Sequence, residues 1–484
     1  MIKNKIFYTC FVVILLLGFT FRFYNLNFDN LWFDEIISFN VADPKLTFIE
    51  TLKKNLELDA STPFYNLTLK YFYKLFGYKT FVGRYLSAIL GFLSIIIIFL
   101  IISEVSKENN SKLLAIYLSS FNIFLITYSQ ELRVYSTFFF FCSLSIFFFL
   151  RYIKKYNNKN FFIFLTFQLI TILYHPFGLI IFFSALTYLI FSKNLLTFYL
   201  PKINFFYFLT FFLIFFFIFL YLYFYFELVP KDLFPNFLGD FKFKFITNPF
   251  FSNFFGSRIL GLIYLLILIF LLIKFKKLFF SKKKFYLFFF LILIFGYSLG
   301  LIFNFFFYKI LVPRYFIFLI LPIILIISDL TYKLKNIFFK NTIILIIILS
   351  TLINMITERS FNQFFFKINT YKTDFFSAFD KVNKSETNLL SVALKNPNDK
   401  KQQISQIYIL NYSKKLSIEN SFRIDTFFFN DKRFVSQLEK FWVMCVYEIN
   451  LNCEIDQSIL NTFLIKDIFE FNRLQLIYLN KKKL

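Results

Sequence analysis

Runs of mostly apolar residues recur along the chain from residue 6 to residue 357. Many approach the roughly 20 residues that a helix rising about 1.5 Å per residue needs to cross a hydrocarbon core about 30 Å thick. The pattern predicts eleven spans, at 6–21, 81–102, 113–127, 134–150, 161–174, 178–191, 203–226, 257–273, 285–307, 311–330 and 341–357. One further stretch, 63–77, is apolar but short and carries Lys70 and Lys74. It reads as an interfacial helix, a re-entrant piece or a further span, so the count runs from eleven to thirteen. Beyond residue 357 the hydropathy falls and charges of both signs appear, which predicts a soluble domain of mixed helix and strand over 358–484. The expected fold class is therefore an all-α polytopic membrane protein over 1–357, followed by an α/β soluble domain.

Charge gives this string an orientation, because short cytoplasmic loops collect Lys and Arg. Lys3 and Lys5 precede the first run, and Arg151, Lys154, Lys155 and Lys159 fill one loop. Lys193 and Lys202 lie in the next such loop, Lys274, Lys276, Lys277 and Lys282–Lys284 in another, and Lys333, Lys335 and Lys340 in the last. All fall on one side if eleven runs cross and 63–77 does not. The N-terminus is then cytoplasmic and 358–484 extracytoplasmic, periplasmic if the membrane is a bacterial inner one. Segment 22–62, with seven acids against four bases, belongs to the outer side. No small-residue cleavage site follows 6–21, so this run is kept as a span rather than read as a removed signal peptide.

Composition changes the picture in two ways. A chain that is 58% hydrophobic with 86 Phe has lipid as its solvent, so the net charge of +25 reads as topology and not as a nucleic-acid partner. One His and four Cys, none at metal-ligand spacing, exclude a zinc finger or a di-His centre. Cys445 and Cys453, with seven residues between them, could pair if the tail is extracytoplasmic.

The candidate chemistry lies in the outer segments. Leu31-Trp32-Phe33-Asp34-Glu35 places two carboxylates after aromatic residues at the membrane surface, where partial desolvation raises basicity and suits a general base. The same acids would also cap a short helix such as 34–42. Asp59 and Tyr65 flank Ser61-Thr62-Pro63-Phe64. Arg84, Arg133 and Arg314 stand at or near membrane depth, where a charge is costly and retained for a partner or an anionic ligand. The planar fork of Arg suits phosphate, although each could instead snorkel to headgroups. His175, in Tyr174-His175-Pro176-Phe177-Gly178, marks an outer helix break and reads either as a hydrogen-bonded turn residue or as a catalyst, and Tyr315 stands beside Arg314 in Val312-Pro313-Arg314-Tyr315.

The order of these motifs resembles the GT-C glycosyltransferases. Trp-x-Asp-Glu at 32–35 is followed by Thr-Pro-Phe-Tyr at 62–65, Gly-Arg-Tyr-Leu-Ser-Ala-Ile-Leu-Gly at 83–91 and Ser-Gln-Glu-Leu-Arg-Val-Tyr at 129–135. His-Pro-Phe-Gly at 175–178 and Pro-Arg-Tyr at 313–315 complete the series. Within that superfamily the chain is similar to the group of protein O-mannosyltransferases, the aminoarabinose lipid A transferase and Rgt-type lipopolysaccharide glycosyltransferases. The resemblance covers about 22–330. It implies inverting transfer of a sugar from a polyprenyl-phosphate donor to an acceptor hydroxyl on a glycan, lipid or protein. Asp34 is then the base with Glu35 beside it, Arg84, Arg133 and Arg314 are the candidates for the donor phosphate, and Asp59, Tyr65, His175 and Tyr315 are acceptor or auxiliary residues. Two departures matter: the chain has Pro63-Phe64 where relatives carry two prolines, and Ser61-Thr62 where the lipid A transferase carries an acidic-basic pair. A lipid A type of phosphate contact and a metal site are not carried over; no cofactor is required on this reading, and dependence on a divalent metal is left open.

A transporter or flippase of lipid-linked substrates is the main rival. It predicts internal repeats with Gly/Pro-broken helices at matching places, and the chain offers only ten Gly and ten Pro with no such pairing.

Overall fold

The computed structural model describes residues 2–191, 252–357 and 372–482, with breaks at 28–29, 60, 156–157, 280–284, 307–311, 396–399, 429–431, 448, 451, 454 and 456, together with Phe216 and Leu220. Ten of the eleven expected runs coincide with helices; the run 203–226 lies outside the described residues apart from Phe216 and Leu220. The first ten helices are α1 (Ile2–Phe23), α2 (Phe33–Val41), α3 (Phe48–Leu58), α4 (Phe64–Phe76), α5 (Val82–Val105), α6 (Asn109–Phe121), α7 (Ile123–Ser129), α8 (Tyr135–Lys155), α9 (Asn158–Tyr174) and α10 (Gly178–Phe191). Helices Arg258–Lys274, Phe285–Phe306, Ile320–Lys333 and Ile337–Thr357 follow, with a 3₁₀ turn at Pro313–Leu319 leading into the third of these. Among the described residues six helices are long and apolar enough to cross a membrane, and seven if a bent pair is one span. The chain is an integral membrane protein.

The bent pair corrects one expected span. Run 113–127 is broken into α6 and α7, which meet at 53°. Asn122 causes the break: its side chain accepts from the Leu125 backbone N–H at 3.0 Å and so starts a new helix inside the apolar stretch. The carbonyls released at the end of α6 are met by Arg22, fully buried near the end of α1, which donates to Ser119 O at 2.9 Å and Ser120 O at 3.1 Å. A cation at a helix C-terminus complements the dipole as well as the open carbonyls. Beside this junction a Cβ added at Gly91 would lie 2.1 Å from Ser129 Oγ, so the last glycine of the 83–91 motif allows α5 to approach the end of α7.

The ambiguous stretch 63–77 is α4. Its 13 residues span roughly 20 Å, short of the hydrocarbon thickness. Lys70 is buried and satisfied, donating to Thr47 O and Thr51 Oγ1, both at 2.9 Å. The preceding α3 starts with a reciprocal capping box in which Thr47 and Glu50 each bond the other's backbone N–H.

The chain divides into two compact units, one of 1–26, 47–72 and 83–362, the other of 27–46, 73–82 and 363–484. The second is built on a five-stranded sheet of order β2-β1-β3-β5-β4, from β1 (Leu389–Val392), β2 (Asp425–Thr426), β3 (Lys440–Val446), β4 (Phe463–Phe471) and β5 (Leu474–Lys481). β1 runs parallel to β2 and β3, whereas β5 is antiparallel to both β3 and β4. Central β3 reads as an unbroken apolar run because both its faces are covered. Cys445 on β3 is bonded to Cys453 as a disulfide. Helix Lys400–Asn420 connects β1 to β2, and Glu419 near its end accepts from Thr80 Oγ1 at 2.6 Å and Thr80 N at 3.2 Å.

Candidate functional site

In the first unit four distant segments meet around Arg133. Asp59 is the C-cap of α3 and Arg133 lies in the short loop between α7 and α8. Arg133 Nη1 sits 3.4 Å from Asp59 Oδ2, with less than a tenth of either side chain exposed. The carboxylate is fixed from other directions too: Ser61 N–H donates to Oδ1 at 3.0 Å, and Asn66 Nδ2 donates to Oδ2 at 3.3 Å and to Asn55 Oδ1 at 2.6 Å. Tyr65, the neighbour of Asn66 in the first turn of α4, is 1% exposed. Thr62 anchors the same stretch by donating to Leu173 O at 2.6 Å and Tyr174 O at 2.9 Å, the last residues of α9. That anchor brings the chain to His175.

His175 is buried among rings, 4.8 Å from Phe138 and 5.2 Å from Tyr315 between centroids. Its Nδ1 accepts the Phe177 backbone N–H at 3.2 Å, which assigns the proton of the neutral imidazole to Nε2. Burial, and the positive charge of Arg133 after it, pushes the imidazole down to about 3. The unfolded chain therefore binds a proton between pH 3 and 6.5 that the folded one refuses, so stability present at neutral pH is lost as pH falls below 6.5. At pH 5 this costs about 2 kcal/mol relative to pH 7. Thermal unfolding at the two pH values is expected to show that difference in the wild type and a smaller one in His175→Gln; equal differences would mean that another group carries the acid sensitivity.

Arg314 and Tyr315 come from the 3₁₀ turn. The Arg314 guanidinium lies over the rings of Tyr135 at 5.6 Å and Tyr315 at 6.0 Å, and its residue is half-buried, unlike Arg133. Arg84, in the first turn of α5, is 1% exposed and donates from Nη1 to Leu26 O at 2.9 Å. One turn on, Ser87 Oγ donates to Arg133 O at 3.4 Å. The first unit thus gathers Asp59, Arg133, His175, Arg314 and Tyr315, with Tyr65 and Arg84 on adjoining turns. Sequence reasoning missed Asn55 and Asn66, which hold Asp59, and Tyr135, which supports Arg314. Asn66 on α4 reaches the carboxylate itself, whereas Asn55 on α3 donates to the Asp59 and Ser61 carbonyls and accepts from Asn66.

Asp34 and Glu35 belong to the second unit, on α2, which fits the helix expected at 34–42. Asp34 is half-buried at the second helical position. Glu35 is wholly buried: its Oε2 accepts the Trp32 N–H at 3.2 Å and pairs with Lys372 Nζ at 3.1 Å. Among the described residues no three His, Cys, Asp or Glu side chains form a group able to hold a metal ion.

A family model described as dolichyl-phosphate-mannose-protein mannosyltransferase matches residues 60–222, about a third of the chain. No curated protein matches the chain in sequence. ArnT from Cupriavidus metallidurans in the apo state shares the fold with a TM-score of 0.58 at 9% identity, over 99% of this chain and 98% of that one. The same protein bound to undecaprenyl phosphate aligns with a TM-score of 0.52 at 10% identity, over 97% of each chain. The fold is of the ArnT type, and the likeness to GT-C membrane glycosyltransferases read from the motifs stands.

Proposed function

We propose that the protein is an inverting glycosyltransferase that moves a sugar from a polyprenyl-phosphate donor to an acceptor hydroxyl of an envelope glycan, lipid or protein, on the outer face of a bacterial inner membrane. The observation that carries this reading is the gathering of Arg133, Arg314, Asp59, His175 and Tyr315 into one polar and aromatic cluster within an ArnT-type fold. The bonded pair Cys445–Cys453 fits an oxidising outer compartment for the second unit.

In this chemistry Asp34 takes the proton of the acceptor hydroxyl as its oxygen attacks the anomeric carbon, and the bond to the phosphate oxygen breaks with inversion. The leaving phosphate gains negative charge, which favours fixed guanidinium groups around it. Arg314 makes the direct contact, since it is half-exposed and held face-on by two tyrosine rings. Arg133 and Arg84 add positive field from behind while they hold Asp59 and Leu26. Asp59, Tyr65, His175 and Tyr315 shape the acceptor side, His175 as a neutral ring with Nε2–H available to donate. With three arginines to meet the phosphate, no cofactor enters the scheme.

The test is transfer of label from a panel of radiolabelled polyprenyl-phosphate sugars by membranes containing the protein, with fractions separated into lipid, glycan and protein. Label entering one fraction, and continuing to enter in EDTA, is the expected result. No incorporation from any donor in membranes that hold folded protein would sink the reading, and loss on chelation would replace the arginine scheme with a metal-assisted one.

A further inference from the structure

We infer that Lys372 is a positioning residue for Asp34: it ties α2 to the sheet of the second unit through Glu35, so the C-terminal residues hold the base in place. This rests on the reading of Asp34 as the base. Successive helical residues project about 100° apart. When Glu35 is turned fully inward toward Lys372, Asp34 is therefore left half-exposed on the flank of α2.

The segment that carries Lys372 is itself hydrogen-bonded to the sheet. The Lys372 carbonyl accepts from Asn472 Nδ2 at 2.6 Å, and the Asn472 carbonyl accepts from Asp374 N at 3.1 Å, so Lys372 is pinned to the turn joining β4 and β5. Asp374 in turn caps helix Phe375–Asn383 by accepting from Ser377 N at 3.1 Å. The two ends of α2 are held by a different element, helix Lys400–Asn420. Leu31 N–H donates to Tyr412 Oη at 3.0 Å, and Asn40 Nδ2 donates to Tyr408 O at 3.4 Å. Seven of the nine residues of α2 are buried. A helix fixed at both ends and again at Glu35 in its first turn is held in its orientation, and a base misplaced by about 1 Å can lose about 10²-fold in rate.

The experiment compares wild type, Lys372→Met, Lys372→Arg and the charge-exchanged Glu35→Lys/Lys372→Glu, with Lys384→Met, whose pair with Asp380 is exposed, as control. Sugar transfer gives kcat and KM, and hydrogen exchange of the peptide covering 33–41 reports on α2, with β3 and β5 as the check that the domain remains folded. Lys372→Met is expected to lower kcat about 10²-fold with little change in KM and to speed exchange in 33–41. Lys372→Arg and the exchanged pair should recover part of both, and the control should change neither. If α2 exchange is unchanged in Lys372→Met, or kcat falls no more than in the control, the positioning role is refuted. If the wild type itself transfers no sugar, the glycosyltransferase reading fails, while the exchange comparison still decides whether Lys372 holds α2.

Discussion

Asp34→Asn is expected to remove sugar transfer almost completely, lowering kcat by about 10²–10⁴-fold while the protein keeps its fold. The size follows from chemistry. An amide has nearly the shape of a carboxylate but cannot take the acceptor proton, so the attacking oxygen stays a neutral hydroxyl. The small cost in stability follows from position: Asp34 is half-buried in the first turn of α2, where a carboxylate contributes about 0.3–1 kcal/mol through the helix dipole. Label incorporation at matched protein amounts, with thermal unfolding of the same samples, separates the two effects. Equal incorporation by variant and wild type would show that Asp34 is not the base.

Asp59→Asn is expected to have the largest effect on stability. The carboxylate is the ion-pair partner of a guanidinium that is less than a tenth exposed, and Ser61 N–H and Asn66 Nδ2 also donate to it. Removing one member of a buried pair leaves the other charged in a medium of low polarity, at a cost of about 3–5 kcal/mol. Arg133→Met should be similarly damaging. The double variant Asp59→Asn/Arg133→Met should lose less than the sum of the two, by a coupling on the order of 1–3 kcal/mol. Equilibrium unfolding in detergent measures all three, and simple additivity of the single effects would mean that the two charges do not support each other.

Much of the membrane unit was legible because lipid imposes a length and a polarity on every crossing helix, and both are written in the sequence. What hydropathy does not report is a partner. Glu35 and Lys372 meet although 337 positions apart, and nothing in the pattern of 22–62 signals that 27–46 joins the C-terminal unit while 22–26 and 47–62 join the other. The break at Asn122 and the Thr47–Glu50 capping box had local signatures, a polar cap residue inside an apolar run and a Thr-x-x-Glu spacing. The motif order pointed to Arg133, Arg314 and His175, but the ring stacking and the state of the imidazole depend on packing that spacing does not encode.

The clamp of Arg22 on α6 also bears on how the protein is made. When α1 leaves the ribosome, Gly18 O is the one carbonyl among these three that its guanidinium can reach, because Ser119 and Ser120 lie 97 and 98 residues further on. At about 5–20 residues per second those carbonyls are synthesised roughly 5–20 s later. For that interval the first helix carries a charge whose main partners do not yet exist, so its final seat is closed by a segment arriving late. Helix α1 is thus inserted before its seat exists and is locked only once the end of α6 has arrived.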